Sequence, residues 1–314
     1  MLAIFLTITP VFILIIIGYA AVKSGYVTAS MGDALNAYTV KIAVPALLFR
    51  AMAGLDFGQA ISAPLLIAFY TGAFSCFALG IMAARAIFKR RPGESVAIGF
   101  GATFSNSVLL GIAIVERSHG PGALLPTYGI IAFHASSIYI VGMVTMELMR
   151  RDGQPMSKTL VKAGKSIIAN PLMIGILAGV FFNLFRLPLV DPFDTASQMM
   201  AASAIPAALV GIGASMTQYQ MTSGLRESAL IAFLSLIIHP LIALFLAHYI
   251  FNLEAVMVLA AVTIAAMPPG VNIYIFASMY KRAEDVAASA FLLATMLSVV
   301  SVTFWLWLLQ AVVL

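Results

Sequence analysis

The sequence predicts an all-α integral membrane protein of ten transmembrane helices, built as two inverted five-helix repeats in which helices four and nine are broken and cross. Three observations predict it. Hydrophobic residues make up 62% of the 314 positions and charged residues only 9%, against roughly a quarter charged in soluble domains. Apolar segments of about 20 residues recur from end to end, each able to cross about 30 Å of hydrocarbon at about 1.5 Å per residue. Motifs of the first half also return in the second at a nearly fixed offset.

Turn residues, charges and apolar length place the spans near 2–22, 34–53, 62–86, 95–115, 122–148, 166–185, 196–216, 227–250, 255–278 and 286–312. The first lacks a basic leader and a clean small-residue cleavage site, so it is expected to be retained. The lone Cys76 excludes an internal disulfide. With the N-terminus outside, thirteen Lys and Arg residues fall in inside segments and three (Arg50, Arg117, Arg186) outside, with Lys41 within a span. That bias orients a multi-pass protein of the cell membrane with both termini extracytoplasmic. It also accounts for the net charge of +5 without a nucleic-acid partner. The connector "MRRDGQPMSKTLVKAGKS" reads as a cytoplasmic linker, dividing the chain into repeats 1–150 and 166–314 about a linker at 151–165.

"TPVFILIIIGY" from Thr9 aligns with "NPLMIGILAGV" from Asn170, and "IAVPALLF" from Ile42 with "SAIPAALV" from Ser203. Pro10 and Pro171, Gly18 and Gly179, and Pro45 and Pro206 all share an offset of 161. "SNSVLLGI" from Ser105 sets Asn106 against Asn272 of "VNIYIFAS" at an offset of 166, a drift that a five-residue insertion explains. Five spans per copy is odd, so the second copy enters the membrane from the opposite side. Inverted repeats of this kind occur in many secondary transporters, whose substrates bind near the midplane at discontinuous helices.

Span nine carries "AAMPPGVNIYIFAS". Irregular chain at membrane depth survives only where protein or a wet cavity receives its polar groups. Pro268 and Pro269 remove amide donors and clash with the preceding turn, while Gly270 offers torsions closed to other residues. The helix is expected to part near Pro268 and restart around Val271 and Asn272, turning free amides and a positive dipole end toward the midplane. Asn106, flanked by Ser105 and Ser107 in span four, brings the counterpart. Two such breaks, crossing, form a polar cradle without a carboxylate and suited to an anion.

In these residues the sequence resembles the auxin efflux carrier family, which includes bacterial malonate-type carriers and the plant PIN carriers. The match covers all ten spans and is most specific at "MPPGVNIYIFAS", "SNSVLLGI", "VPALLF" and "NPLMIG". The resemblance implies two inverted repeats with crossed broken helices four and nine. It implies a transport domain of helices 3–5 and 8–10 moving like an elevator against a scaffold of helices 1, 2, 6 and 7, and a homodimer through helices 2 and 7. Many relatives carry proline in a leucine–glycine–x–proline pattern after the span-four asparagine; here Leu110-Gly111-Ile112 is followed by Ala113, which leaves the exact break in span four open.

Lys41 is the one basic residue deep in a span, read either as a cation for a carboxylate or as a side chain that snorkels to the headgroups. Pro45 and Pro206 are expected to bend scaffold helices, Arg50 to anchor at an interface, and Gly175 and Gly179 to form a small packing face. The histidines lack metal-ligand spacing, and no cofactor motif occurs. No Asp or Glu is placed at mid-depth, which leaves Na+ coupling, H+ coupling or uniport open. These features favour a secondary transporter of a small organic anion within membrane lipid. A passive anion channel is the alternative, and it would require a continuous polar stripe or charged ring. An enzyme is disfavoured, because neither a nucleotide-binding G-x-x-x-x-G-K-[ST] nor H-E-x-x-H is present.

Overall fold

The computed structural model describes residues 2–56, 62–150, 161, 170–221 and 223–314. The predicted linker 151–165, Val161 apart, and residues 166–169 of predicted span six lie outside the described residues. Among the described residues the chain is helical, and its only paired extended backbone is an isolated antiparallel bridge between Ser105 and Pro269.

Among the described residues six helical segments are long and apolar enough to cross a membrane: Leu2–Lys23, Ala63–Ala86, Pro121–Arg150, Phe193–Met216, Leu225–Ile250 and Glu284–Val312. The other predicted spans are those in which the helix changes form or only part is described. Span two begins earlier than the hydropathy suggests. Thr28 caps the helix from its side chain, and α2 (Ala29–Tyr38) runs through a wide π turn (Thr39–Ala43) into α3 (Val44–Ala53). Val44 donates to Thr39 five residues back, immediately before Pro45. Proline has no N–H and its ring crowds the carbonyl of the preceding turn, so a widened turn at that point removes the conflict. A second π turn, Leu234–Ile238, stands in the same relation to Pro240 between α10 (Leu225–Phe233) and α11 (His239–Leu244). Pro206, by contrast, stands inside an uninterrupted α-helix.

The remaining helices are α1 (Leu2–Lys23), α4 (Ala63–Ala86), α5 (Pro92–Thr103), α6 (Ile112–His119), α7 (Leu124–Arg150), α8 (Pro171–Leu184), α9 (Phe193–Met216), α12 (Ala255–Ala265), α13 (Asn272–Tyr280) and α14 (Glu284–Val312). They sort by packing into two groups. α1, α2, α3, α8 and α9 pack chiefly on one another, α4, α5, α7 and α10 to α14 form the second group, and α6 lies between them, touching α1 as well as α7 and α12.

Small residues set the spacing in the first group. Gly18 of α1 lies against the Val210 backbone of α9, and Gly179 of α8 against the Phe49 carbonyl of α3. Gly175 sits on Pro45. The two glycines of the predicted small face therefore both serve close approach of α8 to α3. Polar clasps close the ends of the same group. Asn36 donates to the Gly211 carbonyl (3.2 Å), and Arg50 donates to Ser197 Oγ (2.7 Å) and pairs with Asp194. Arg50 thus joins two helices and is more than an interfacial anchor.

Candidate functional site

Two helices come apart at one place. α5 ends at Thr103, whose hydroxyl donates to the Ala73 carbonyl of α4 at 3.0 Å. Phe104 then turns extended (φ −80°, ψ 91°), and helix resumes as a π turn at Ser107–Gly111 leading into α6. Asn106 makes no side-chain cap here and Ser105 Oγ turns to His134, so the opened backbone at 104–106 is satisfied by the other gap, through Asn106 N and the Pro268 carbonyl. Ile112 donates to Ser107 five residues back, the relation that precedes Pro45 and Pro240. The break thus lies before the Leu110-Gly111-Ile112-Ala113 segment, and the wide turn forms with alanine where the resembling pattern has proline.

The second interruption is longer. α12 ends at Ala265, its last turn closed by Ala266 donating to Val262 (2.9 Å) and Met267 to Ile264 (3.3 Å). Pro268 and Pro269 cannot continue the ladder, and each biases the residue before it away from α torsions. α13 restarts at Asn272, with Gly270 and Val271 carbonyls accepting the first bonds of the new helix.

The two gaps are joined to each other. Asn106 N donates to the Pro268 carbonyl at 2.8 Å, and Ser105 bridges to Pro269. A Cβ on Gly270 would lie 3.2 Å from Asn106 Cγ and 3.3 Å from its Cβ. Gly270 takes no left-handed torsion, such as those of Gly25, Gly120 and Gly224; it is small because Asn106 occupies the space beside it. This corrects the expectation that its freedom of torsion was what the break required.

Helix starts at Ser107 and Asn272 therefore flank one seam. Helix starts carry partial positive charge, although at Asn272 the amides of Ile273 and Tyr274 already donate to the Gly270 and Val271 carbonyls. Ser105, Asn106 and Ser107 are buried at 3%, 9% and 2% exposure, so the seam is closed around them. Val271 and Asn272 are half-buried. A shallow groove of about 560 Å³ runs instead along α4, lined by Ile67, Tyr70, Thr71, Phe74, Ser75 and Ala78, away from both asparagines.

Helix α7 backs the seam with residues that the sequence did not single out for it. Tyr139 donates to Asn272 Oδ1 at 3.3 Å, which turns the amide NH2 of Asn272 away from that contact. His134 Nε2 lies 3.3 Å from Ser105 Oγ. Phe100 and Phe276, one from each interrupted helix, stack at 3.9 Å between centroids and 4° between planes, with Tyr139 edge-on to both and Gly142 beneath them. His119 Nε2 meets Thr263 Oγ1 at 2.9 Å, tying α6 to α12.

Asn106, Gly270, Ser105 and the proline pair come together, while Asn272, two residues past Gly270, is bonded by Tyr139. Lys41 does not share these contacts. It is exposed on the π turn of the second helix, whose buried face, with Tyr38 and Val44, packs near Val108, Leu109 and Ile112. The contacts at the seam are thus made by dipoles, and of the two readings of Lys41 its exposure suits the side chain that reaches the headgroups. Among the described residues no group of His, Cys, Asp and Glu could hold a metal ion.

Comparison with known proteins finds relatives along nearly the whole chain. A protein of Rhizobium meliloti (strain 1021) named "putative malonate transporter" is 24% identical over 298 residues, covering 91% of this chain and 92% of its own length. An uncharacterized transporter of Methanothermobacter thermautotrophicus (strain Delta H) is 22% identical over 301 residues, covering 95% of this chain and 96% of its own. The model of the membrane transport protein family matches residues 3–306. The chain belongs to this membrane transport protein family, that of the auxin efflux carriers.

Proposed function

We propose that the chain is a secondary transporter that carries a small organic anion, a carboxylate, across the membrane by an elevator-type alternating-access mechanism. The family makes it a transporter rather than an enzyme. The observation that carries the anion reading is the seam in which Asn106 N meets the Pro268 carbonyl, because it puts two helix N-termini on either side of one buried, uncharged place. Peptide dipoles fixed in that way favour an anion. Asn106, Asn272, Ser105, Ser107, Gly270 and Val271 form the site, with Asn272 held by Tyr139. The malonate in the name of the Rhizobium relative is a short carboxylate and fits the same chemistry.

Support for the inverted repeat comes from contacts that repeat under the sequence offset. Adding 161 to Gly18 gives Gly179, and adding it to Phe49 gives Val210; the contacts are Gly18 with Val210 and Gly179 with Phe49. The same exchange turns Asn36 with Gly211 into Ser197 with Arg50, and both pairs are bonded. In this reading residues 1–150 and 166–314 are the two repeats. The first packing group is the scaffold, dimerising through α2–α3 and α9, and the second group is the moving domain. Exchanging the conformations of the repeats presents the seam to the other side. The end bearing Arg90, Arg150 and Arg282 faces the cytoplasm, with both termini outside.

Proteoliposomes loaded with unlabelled malonate, succinate or lactate test this against a passive anion channel. A carrier shows faster entry of the labelled anion when unlabelled anion waits inside. Flux without such trans-stimulation supports the channel.

A further inference from the structure

His134 is buried at 2% exposure in the middle of α7. Its Nε2 is next to Ser105 Oγ at 3.3 Å, within the break of the fourth span, and its Nδ1 is buried with no hydrogen-bond partner among the described residues. The backbone carbonyl one turn earlier, at Ile130, already accepts the Tyr70 hydroxyl at 2.8 Å. Buried polar atoms are nearly always paired, so a bare ring nitrogen beside the seam calls for a ligand. Neutral imidazole presents one donor and one acceptor. With Ser105 serving one nitrogen, the other is open to a proton.

Among the described residues the ring's neighbours carry no negative charge. From α4 the ring meets Phe69 and Tyr70, from the break Phe104 and Ser105, and from α11 it feels His239, whose Nε2 donates to the Phe69 carbonyl. Tyr70 and His239 are the titratable members of that set, and neither brings a negative charge. A protonated His134 therefore has no counter-charge until an anion docks. A carboxylate at the seam, for its part, has only dipoles to balance it. Each charge lowers the cost of the other in a medium of low dielectric, and linkage makes the effect reciprocal.

We infer that His134 is the coupling site of this transporter, taking one proton onto its open ring nitrogen when a carboxylate binds at Asn106 and Asn272 and releasing it to water with the substrate on the far side. The inference rests on the proposed transport of an organic anion and names the ion that accompanies it. No covalent bond changes other than that N–H, and the proton comes from and returns to the aqueous phases.

The test uses the full chain in proteoliposomes, with radiolabelled malonate, succinate and lactate as probes and the membrane potential clamped at zero. One proton per anion predicts about tenfold accumulation per unit of imposed pH difference, with a matching signal from a trapped pH dye. His134→Gln keeps the size and the bond to Ser105 but does not titrate. It is expected to lose both the accumulation and the dye signal, and whatever exchange of labelled for unlabelled anion remains no longer responds to the pH gradient. Accumulation that persists in His134→Gln overturns the assignment. So does a wild-type protein that exchanges anion but is indifferent to the pH gradient, a result independent of how well the variant folds. Failure of the wild type to exchange any of the three probes strikes instead at the transport reading, on which the proton site depends.

Discussion

Asn106 is held between the Pro268 carbonyl and Gly270, so its side chain has little freedom and a defined direction. Replacing Asn106 or Asn272 with alanine removes a hydrogen bond to a charged group, about 1.5–3 kcal/mol, and is expected to raise the half-saturating substrate concentration roughly 10- to 100-fold. Gly270→Ala adds a methyl 3.2 Å from Asn106 Cγ. The expected result is a weaker version of the Asn106→Ala defect with unchanged unfolding temperature, because Asn106 has only to shift by a few tenths of an ångström. Saturable uptake with wild-type half-saturation in both asparagine variants would reject the site. At this scale the sequence was legible where polarity contradicts hydrocarbon: Pro268, Pro269, Asn106 and Asn272 are conspicuous in apolar runs. Tyr139 and His134 were not, because their contacts reach across 133 and 29 positions and leave no local pattern. Lys41 stayed open between two readings because charge marks a residue without saying which face of its helix it occupies.

At the scale of the element, wide turns recur just before Pro45, Pro240 and Ala113. The third shows that the turn is set by its tertiary surroundings as much as by proline, since Ile112 reaches back to Ser107 without one. Ala113→Pro is therefore expected to be tolerated, shifting the unfolding temperature by no more than a few degrees in either direction and leaving uptake intact. Ala261→Pro, inside the regular helix α12, is expected to cost about 3 kcal/mol or more. Thermal unfolding of purified protein distinguishes the two; equal destabilisation by both would show that the turn at Ser107–Gly111 is not preformed for proline. Element existence was readable from apolar length, and the break in the ninth span from its two prolines. The break in the fourth span could not be placed from Ser and Asn alone, since their competing bonds are weak. The start of α2 was also missed, because Thr28 and the polar first turn after it look like loop until the cap is seen.

Across the whole molecule, matching contacts under one offset link the glycines, Asn36 and Arg50 into a single geometric scheme. The offset was visible in the sequence because close helix approach admits only small residues, so both copies keep glycine where the backbones touch. Which helices those glycines touch was not visible, since that depends on the crossing of the two copies. Orientation is open to a direct check. Cys76 is fully buried, so an added surface cysteine is the reactive one. Gly122→Cys, between α6 and α7, is expected to react with an impermeant maleimide on intact cells, whereas Ser24→Cys should react only after permeabilisation. The reverse pattern would invert the assigned topology.

The central claim is that two interrupted helices share one anion site, and a density map of the protein in lipid nanodiscs, saturated with a carboxylate that shows trans-stimulation, tests it most directly. The account predicts anion density at the seam, its oxygens within about 3 Å of polar groups of Asn106 and Asn272. An anion seated elsewhere, or a fourth or ninth span that runs through as unbroken helix, would contradict it.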